Sequence, residues 1–356
     1  MSPTLLGFGA MRLPKDVKEN IKMFAAYLES GGNYIDTAYV YTGSEEMLNK
    51  ALTSQHPRDS YLLADKLPPW SVNSRKDCDR ILKESLKRCG VDYFDYYLLH
   101  ALDVGNEDRL LASDAYAWAQ EMKKKGIVRN VGFSFHDTPE FLDKLFSSHP
   151  EMDFVMLQLN YIDNLRGAAS AFHESALKHK KTLFAMEPIK GGTLASLPAE
   201  AEALLKAARP NDSIAAWAMR YVASLKGVQS VLSGMSSLAQ VQDNIRTFNP
   251  FEAMTDEEYK LLNQVLDILA KESGIACTAC KYCLADCPEG IAIDNCISLY
   301  NEVKRAGEKF NRSVMYRAIP KGKRADSCTS CGACVPRCPQ KIDIPSALKT
   351  VAKEFA

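Results

Sequence analysis

Apolar runs of strand length recur along the first three-quarters of the chain, at residues 5–11, 34–38, 61–67, 93–100, 130–135, 154–161, 181–189 and 228–234. Several, such as Phe154-Val-Met-Leu157, are nearly continuous in apolar character, as strands of a parallel sheet buried on both faces are. Segments with helical spacing lie between them. In the first, Val17, Ile21, Phe24, Ala25 and Leu28 share one face, and Gly31-Gly32 ends it. Others run roughly over 45–53, 77–89, 112–124, 139–146, 168–178 and 214–225. Residues 196–202 read as a polar connector. Eight strands alternating with helices over about 270 residues predict an α/β fold, a closed (β/α)8 TIM barrel. The runner-up is an open doubly wound sheet, but Gly7-Phe8-Gly9 lacks the third glycine of its phosphate-binding fingerprint.

Composition changes this picture near residue 275. Of the 11 cysteines, only Cys78 and Cys89 precede residue 277, and nine fall between Cys277 and Cys338. The first 276 residues carry 31 basic and 36 acidic side chains, and the remainder 13 and 8. The shift predicts a barrel over 1–272 and a small, mainly α-helical cysteine-rich domain over 273–356. The whole chain has zero formal charge and is 46% apolar. That balance argues against a nucleic-acid partner, which calls for a basic surface. No apolar run approaches the ~20 residues of a membrane helix, and the start shows no basic stretch leading into an apolar one. A cytoplasmic location is expected, and in a reducing compartment clustered cysteines point to metal ligation before disulfides.

Polar residues at the carboxyl ends of barrel strands are candidate catalysts. Asp36 ends the second run, Tyr41 follows it, Lys66 lies near the end of the third and His100 ends the fourth. Each alone has a plainer reading: a cap, a solvated lysine, a histidine satisfying a carbonyl. Together, on successive strand ends, they form a candidate proton-transfer site. Residues 5–12 (Leu-Leu-Gly-Phe-Gly-Ala-Met-Arg), 33–46, Leu63-Ala-Asp-Lys-Leu67, Tyr97-Leu-Leu-His100 and Asn130-Val-Gly-Phe-Ser134 resemble the motifs of the aldo-keto reductase superfamily over about residues 4–250. The resemblance implies a barrel, a nicotinamide cofactor, NAD(P)H, and reduction of a small-molecule carbonyl by hydride transfer. It casts Tyr41 as general acid. A free phenol, with a pKa of ~10, donates poorly at neutral pH, so Lys66 beside it is expected to lower that value. Asp36 would hold Lys66, and His100 would direct the carbonyl oxygen.

The same resemblance puts Ser134 and Gln158 at the nicotinamide carboxamide, Met186 where a ring-stacking tyrosine is common, and Asp243 and Asn244 at the adenine end. Phe135 replaces the asparagine that usually follows the serine. Gly234 and Gln240 stand where many members carry cations for the 2′-phosphate of NADP, which removes charge-assisted hydrogen bonds. Lys190 and Arg246 could stand in for them, or be solvated surface residues.

Residues 277–288 read C-x2-C-x2-C-x3-C-P, and residues 328–339 repeat the pattern. Such runs hold iron–sulfur cubanes, the fourth cysteine of each run ligating the other cluster. Two [4Fe–4S] clusters are therefore predicted, one on Cys277, Cys280, Cys283 and Cys338, the other on Cys328, Cys331, Cys334 and Cys287. Zinc would not call for two full copies with the terminal Cys-Pro. Cys78, Cys89 and Cys296 read as buried small hydrophobes. Residues 293–308 and 345–354 read as helices, so the region resembles an α-helical ferredoxin module. The basic run Lys321–Arg324 suggests docking of a ferredoxin or flavodoxin, or a solvated loop. Three functional readings follow: a nicotinamide-linked carbonyl reductase with separate clusters; a reductase fed single electrons by the clusters, the tetrad protonating a radical intermediate; and an electron-transfer subunit with the barrel as docking scaffold. The loops after the third and fourth strands (68–76 and 101–108) look short, which suits a small polar carbonyl compound.

Overall fold

The computed structural model describes residues 1–166, 169–271, 274–275, 277, 279, 281–306, 309–338 and 340–356. Eight parallel strands close into a barrel in sequence order: β1 (Leu6–Gly9), β2 (Tyr34–Asp36), β3 (Leu62–Leu67), β4 (Phe94–Leu102), β5 (Val128–Phe135), β6 (Phe154–Gln158), β7 (Thr182–Met186) and β8 (Val228–Ser233). β8 pairs with β1 through Leu6 opposite Val231. All eight expected strands are present, mostly trimmed at their ends. The expected helix at 45–53 is a short helix, Ser44–Leu48, continued by a wider π turn.

Two compact units emerge. One comprises Met1–Gly191 with Ala215–Thr255, and the other Gly192–Ile214 with Asp256–Ala356. In the first, the barrel interior is filled by Tyr34, Leu62, Ala64, Leu98, Phe154, Met156, Phe184 and Leu232. Side chains alternate along a strand, so the next inward positions are two residues on. Those positions are Asp36, Lys66, His100, Gln158, Met186 and Gly234. The parity that packs the core therefore aims the candidate residues at the carboxyl-terminal mouth. Gly7 is required at the opposite end, because a Cβ there would lie 2.7 Å from Ser230 Oγ and 2.9 Å from Leu232.

Around the barrel, Val17–Glu29 is capped by Asp16, and Arg75–Cys89 ends on the left-handed Gly90. Thr138 caps Pro139–Ser148, whose first residue is proline. The stretch after β4 is not the short loop expected. It folds into a helix, Val104–Ala112, whose N-cap Asp103 accepts from the Asn106 backbone N–H.

In the second unit, helix Ala199–Ala208 packs on helix Asp256–Lys271, and Arg209 pairs with Glu258. Neither helix was expected from the pattern. Ile293–Ala306, Lys309–Ala318 and Ile344–Glu354 enclose a core that includes Cys296, Ile297, Tyr316, Leu348, Val351 and Phe355. Asp343 caps the last helix through Ser346. Among the described residues no helix is long and apolar enough to cross a membrane.

Candidate active site and cluster sites

Lys66 is the centre of the barrel-mouth site. Its ammonium is buried and donates to Asp36 Oδ1 at 2.5 Å and to the Thr37 carbonyl at 2.6 Å. Burial works against that charge, but Asp36 and the neighbouring Tyr41 outweigh it and hold the lysine pKa above its ordinary value. The lysine is therefore a fixed cation. Its nitrogen lies 5.0 Å from the centre of the Tyr41 ring.

The expectation for Tyr41 needs correcting. Burial lifts its phenol above 10, and Lys66 offsets this only in part, since Asp36 and Asp65 push the same way as burial. Desolvation of the phenolate costs more than one already neutralised ammonium returns. Tyr41 is therefore a weaker acid than a free phenol.

His100 sits edge-on to Tyr41, ring centres 5.8 Å apart, and 5.5 Å from the ring of Trp70. Burial, helped by the Lys66 charge and by His136, lowers its pKa to about 3. It is neutral at working pH, and its buried Nδ1 has no partner among the described residues. Just beyond it β4 breaks register between Leu99 and Leu102, and Ala101 takes a left-handed φ of 51°. The freed Ala101 N–H donates to Ser134 Oγ at 2.7 Å. This irregularity at His100 ties the adjoining backbone, through Ala101, to Ser134.

The remaining candidates divide. Gln158 and Met186 are half-buried register partners at the ends of β6 and β7. Gln158 lines a recess of about 180 Å³ with Phe135, His136, Asp137, Leu157 and Phe172. Ser134, Gln158 and Met186 thus lie at the carboxyl ends of the consecutive strands β5, β6 and β7. At β8, Gly234 and Gln240 are exposed, and Gln240 folds back to accept from the Ser236 backbone N–H at 2.7 Å. Asn244 is buried, donating to Ser233 Oγ at 2.7 Å, while Asp243 pairs with Arg246 at 2.9 Å. Lys190 is held by Asp163 at 2.6 Å. Lys190 and Arg246, the cations nearest the expected phosphate end in the sequence reading, are both engaged in ion pairs within the chain.

The mouth is more apolar than expected. Met11, Val40, Trp70 and Val104, each on the segment following a different strand, are exposed. Met11 closes the first apolar run, Val40 and Trp70 lie on turns, and Val104 begins the helix after β4.

In the cysteine-rich unit the fourth cysteine of each run joins the other run. Cys277, Cys283 and Cys338 line one cavity with Ile293 and Ile297. Cys280, assigned to the same set, lies outside the described residues. Cys287, Cys328, Cys331 and Cys334 line a second, with Ile291 and Ile293. Backbone at Ala279, Lys281, Ser330 and Gly332 is left-handed. These turns curl the chain around each cavity, and the N–H groups of Ala279 and Ile291 point at Cys277 and Cys287 sulfur, both at 3.4 Å. All-thiolate donors, an apolar lining and N–H···S contacts fit a cubane cluster at each cavity. Cys78, Cys89 and Cys296 are fully buried elsewhere, as expected.

Comparison with known proteins finds two families along the chain. The model for the aldo/keto reductase family matches residues 5–267, and that for the 4Fe-4S dicluster domain matches 276–342. An uncharacterized oxidoreductase, YqkF of Bacillus subtilis, is 26% identical over 286 residues, 72% of this chain and 90% of its own length. L-galactose dehydrogenase of Arabidopsis thaliana is 26% identical over 293 residues, 74% of this chain and 90% of its own. Among solved structures, the holo form of aldo-keto reductase AKR11C1 from Bacillus halodurans superposes with a TM-score of 0.61 at 24% identity, covering 73% of this chain and 91% of that one. An aldo-keto reductase from Klebsiella pneumoniae, solved with NADPH, gives 0.60 at 20% identity, covering 75% and 91%.

Proposed function

The chain belongs to the aldo/keto reductase family, an oxidoreductase with a C-terminal 4Fe-4S dicluster domain, and from there we propose that it reduces a small-molecule carbonyl compound with NAD(P)H, Tyr41 acting as general acid. The supporting observation is the buried Lys66 ammonium, fixed on Asp36 beside Tyr41 and a neutral His100.

Reduction places negative charge on the carbonyl oxygen, and that charge has to be met by a proton. A neutral His100 can donate one hydrogen bond to this oxygen without competing as an acid. Tyr41, too weak an acid for bulk water, donates once the oxygen becomes alkoxide-like. Lys66 stabilises the phenolate left behind, and Asp36 keeps Lys66 charged and in place. The nicotinamide, when bound, supplies the hydride. Ser134 and Gln158 would hold its carboxamide, Met186 would lie against the ring, and Asp243 and Asn244 would lie toward the adenine. Gly234 and Gln240 offer no charge to a 2′-phosphate. Met11, Val40, Trp70 and Val104 at the mouth favour a carbonyl substrate with an apolar or aromatic body over the small polar one expected from loop length.

Two [4Fe–4S] clusters complete the protein on this reading, held by the two cysteine sets described above; when bound they store and pass single electrons. A ferredoxin or flavodoxin is the kind of partner they would serve. A hydride moves two electrons together, so the clusters stand apart from the hydride step, serving structure, regulation or docking. One observation favours a second reading, single-electron reduction fed by the clusters: Gln240, Asp243 and Asn244 are each engaged with neighbouring residues of the chain, on Ser236, Arg246 and Ser233. Tyr41→Phe tests the first reading. It should abolish NAD(P)H-dependent carbonyl reduction while leaving nucleotide affinity within about threefold. Unchanged turnover would remove Tyr41 from the mechanism.

A further inference from the structure

Behind Lys66, on the outer face of β3, lies a buried polar cluster that the chemistry above does not use. Asp65 and Cys89 are fully buried and Glu45 nearly so. One oxygen of each acid and the thiol sulfur lie within 4.8 Å of one another. Asp65 Oδ1 accepts the Lys66 backbone N–H at 2.7 Å, and Glu45 Oε2 accepts from Arg88 Nη1 at 2.9 Å. That leaves Asp65 Oδ2 and Glu45 Oε1, both buried and both without a donor among the described residues. One oxygen of each acid lies within 4.8 Å of the other, so two buried carboxyls face each other with an unmet acceptor on each, which a hydrogen between them would satisfy.

The surroundings do not neutralise two carboxylates. Arg88 is the cation on the pair, and it is shared with Glu84 and Glu46. Arg58 is committed to Asp95, and Lys66 to Asp36. The other facing groups are neutral: burial pushes the Cys89 thiol and the Tyr97 phenol well up, and the Cys78 thiol up to about 12. Tyr41, raised by burial, is neutral too. A metal ion would face the Arg88 guanidinium and a protonated thiol.

We propose that Asp65 and Glu45 share one proton, and that this acid pair locks the segment carrying Tyr41 to the strand carrying Lys66. The chain makes the connection short. Glu45 lies on the helix Ser44–Leu48, whose Ser44 N–H donates to the Tyr41 carbonyl at 2.9 Å, and Asp65 immediately precedes Lys66. Both acids are positioning residues. Their effect on turnover rests on the reading of Tyr41 and Lys66 above; the shared proton does not.

The test uses the full-length holoprotein at neutral pH. Infrared spectra should show a protonated-carboxyl C=O stretch that is missing from both Asp65→Asn and Glu45→Gln. Its absence from the wild type, or its persistence in Asp65→Asn, overturns the shared proton. So does a non-iron metal bound stoichiometrically to the wild type and lost in Asp65→Asn. Thermal unfolding against pH gives a second check. The native pair keeps a proton that the unfolded chain releases above the ordinary carboxylate range, so wild-type stability should fall with rising pH by one proton more than that of Asp65→Asn. Parallel curves overturn it. For the lock, Asp65→Leu should lower kcat about tenfold or more with a smaller change in KM, and Asp65→Asn should recover part of the loss. Equal kcat in Asp65→Leu and wild type overturns the positioning role while leaving the infrared result standing.

Discussion

Removing one member of the Asp36–Lys66 pair should be more damaging than removing both. The two charges are 2.5 Å apart and almost wholly buried. Asp36→Ala would leave an ammonium in the barrel interior with only the Thr37 carbonyl as partner. Breaking a buried pair in this way costs about 3–5 kcal/mol, whereas replacing both members by apolar groups is close to neutral. At about 2–4 °C per kcal/mol, Tm should fall by roughly 6–20 °C in Asp36→Ala. Lys66→Met should also be destabilised, by less, because the abandoned carboxyl can take up a proton. The double variant should recover most of the loss, giving a coupling energy of at least about 2 kcal/mol. Thermal and denaturant unfolding of the four proteins measure this directly, and all three variants should lack carbonyl reduction. If the single effects add to within about 0.5 kcal/mol, the two residues do not form a coupled pair and the fixed cation beside Tyr41 is lost from the mechanism.

Other expectations are more local. His100, neutral when folded down to about pH 3, binds its proton near pH 6.5 once unfolded. Its contribution to stability is therefore present above about pH 6.5 and lost as pH falls toward 3, by about 1.4 kcal/mol per unit, and His100→Gln should show a correspondingly flatter acid limb. Cys338→Ala should halve the iron content from about eight atoms per chain, whereas Cys296→Ala should leave iron unchanged and lower stability only; iron and sulfide analysis decides both. NADH and NADPH should bind within about tenfold of each other, and Gln240→Arg should tighten NADPH alone by roughly ten- to a hundredfold, as a charge-assisted hydrogen bond would. Equal affinities of that variant for the two nucleotides would place the 2′-phosphate elsewhere.

The barrel was legible because its strands carry continuous apolar runs and because parity ties function to packing. Once Tyr34, Ala64 and Leu98 are recognised as interior, Asp36, Lys66 and His100 follow at the mouth. The cysteine runs were legible for a different reason, since their spacing is itself the ligand geometry. Helix Val104–Ala112 was missed because only Leu110 and Glu107 are buried and its face carries little periodic signal. Helix Ala199–Ala208 had a signal, a run of alanine, glutamate and leucine after Pro198, obscured by the polar residues preceding it. The direction of the Tyr41 shift depended on how deeply the phenol is buried, a tertiary quantity. The Asp65–Glu45 pair left a trace: an aspartate within an apolar strand, one position out of phase with Lys66. Its partner arrives from another element, so the trace could not be read alone.

The most direct test of the central claim is a single anaerobic turnover with oxidised clusters, an aromatic aldehyde and NADH or NADPH deuterated at the transferred position. Nucleotide oxidation, cluster absorbance and deuterium in the product are followed together. Deuterium should appear in the alcohol, in step with nucleotide oxidation and with the clusters unchanged, and Tyr41→Phe should show neither. Failure of both nucleotides to bind, with product formed only when the clusters are first reduced, would contradict hydride transfer and assign the electrons to the clusters.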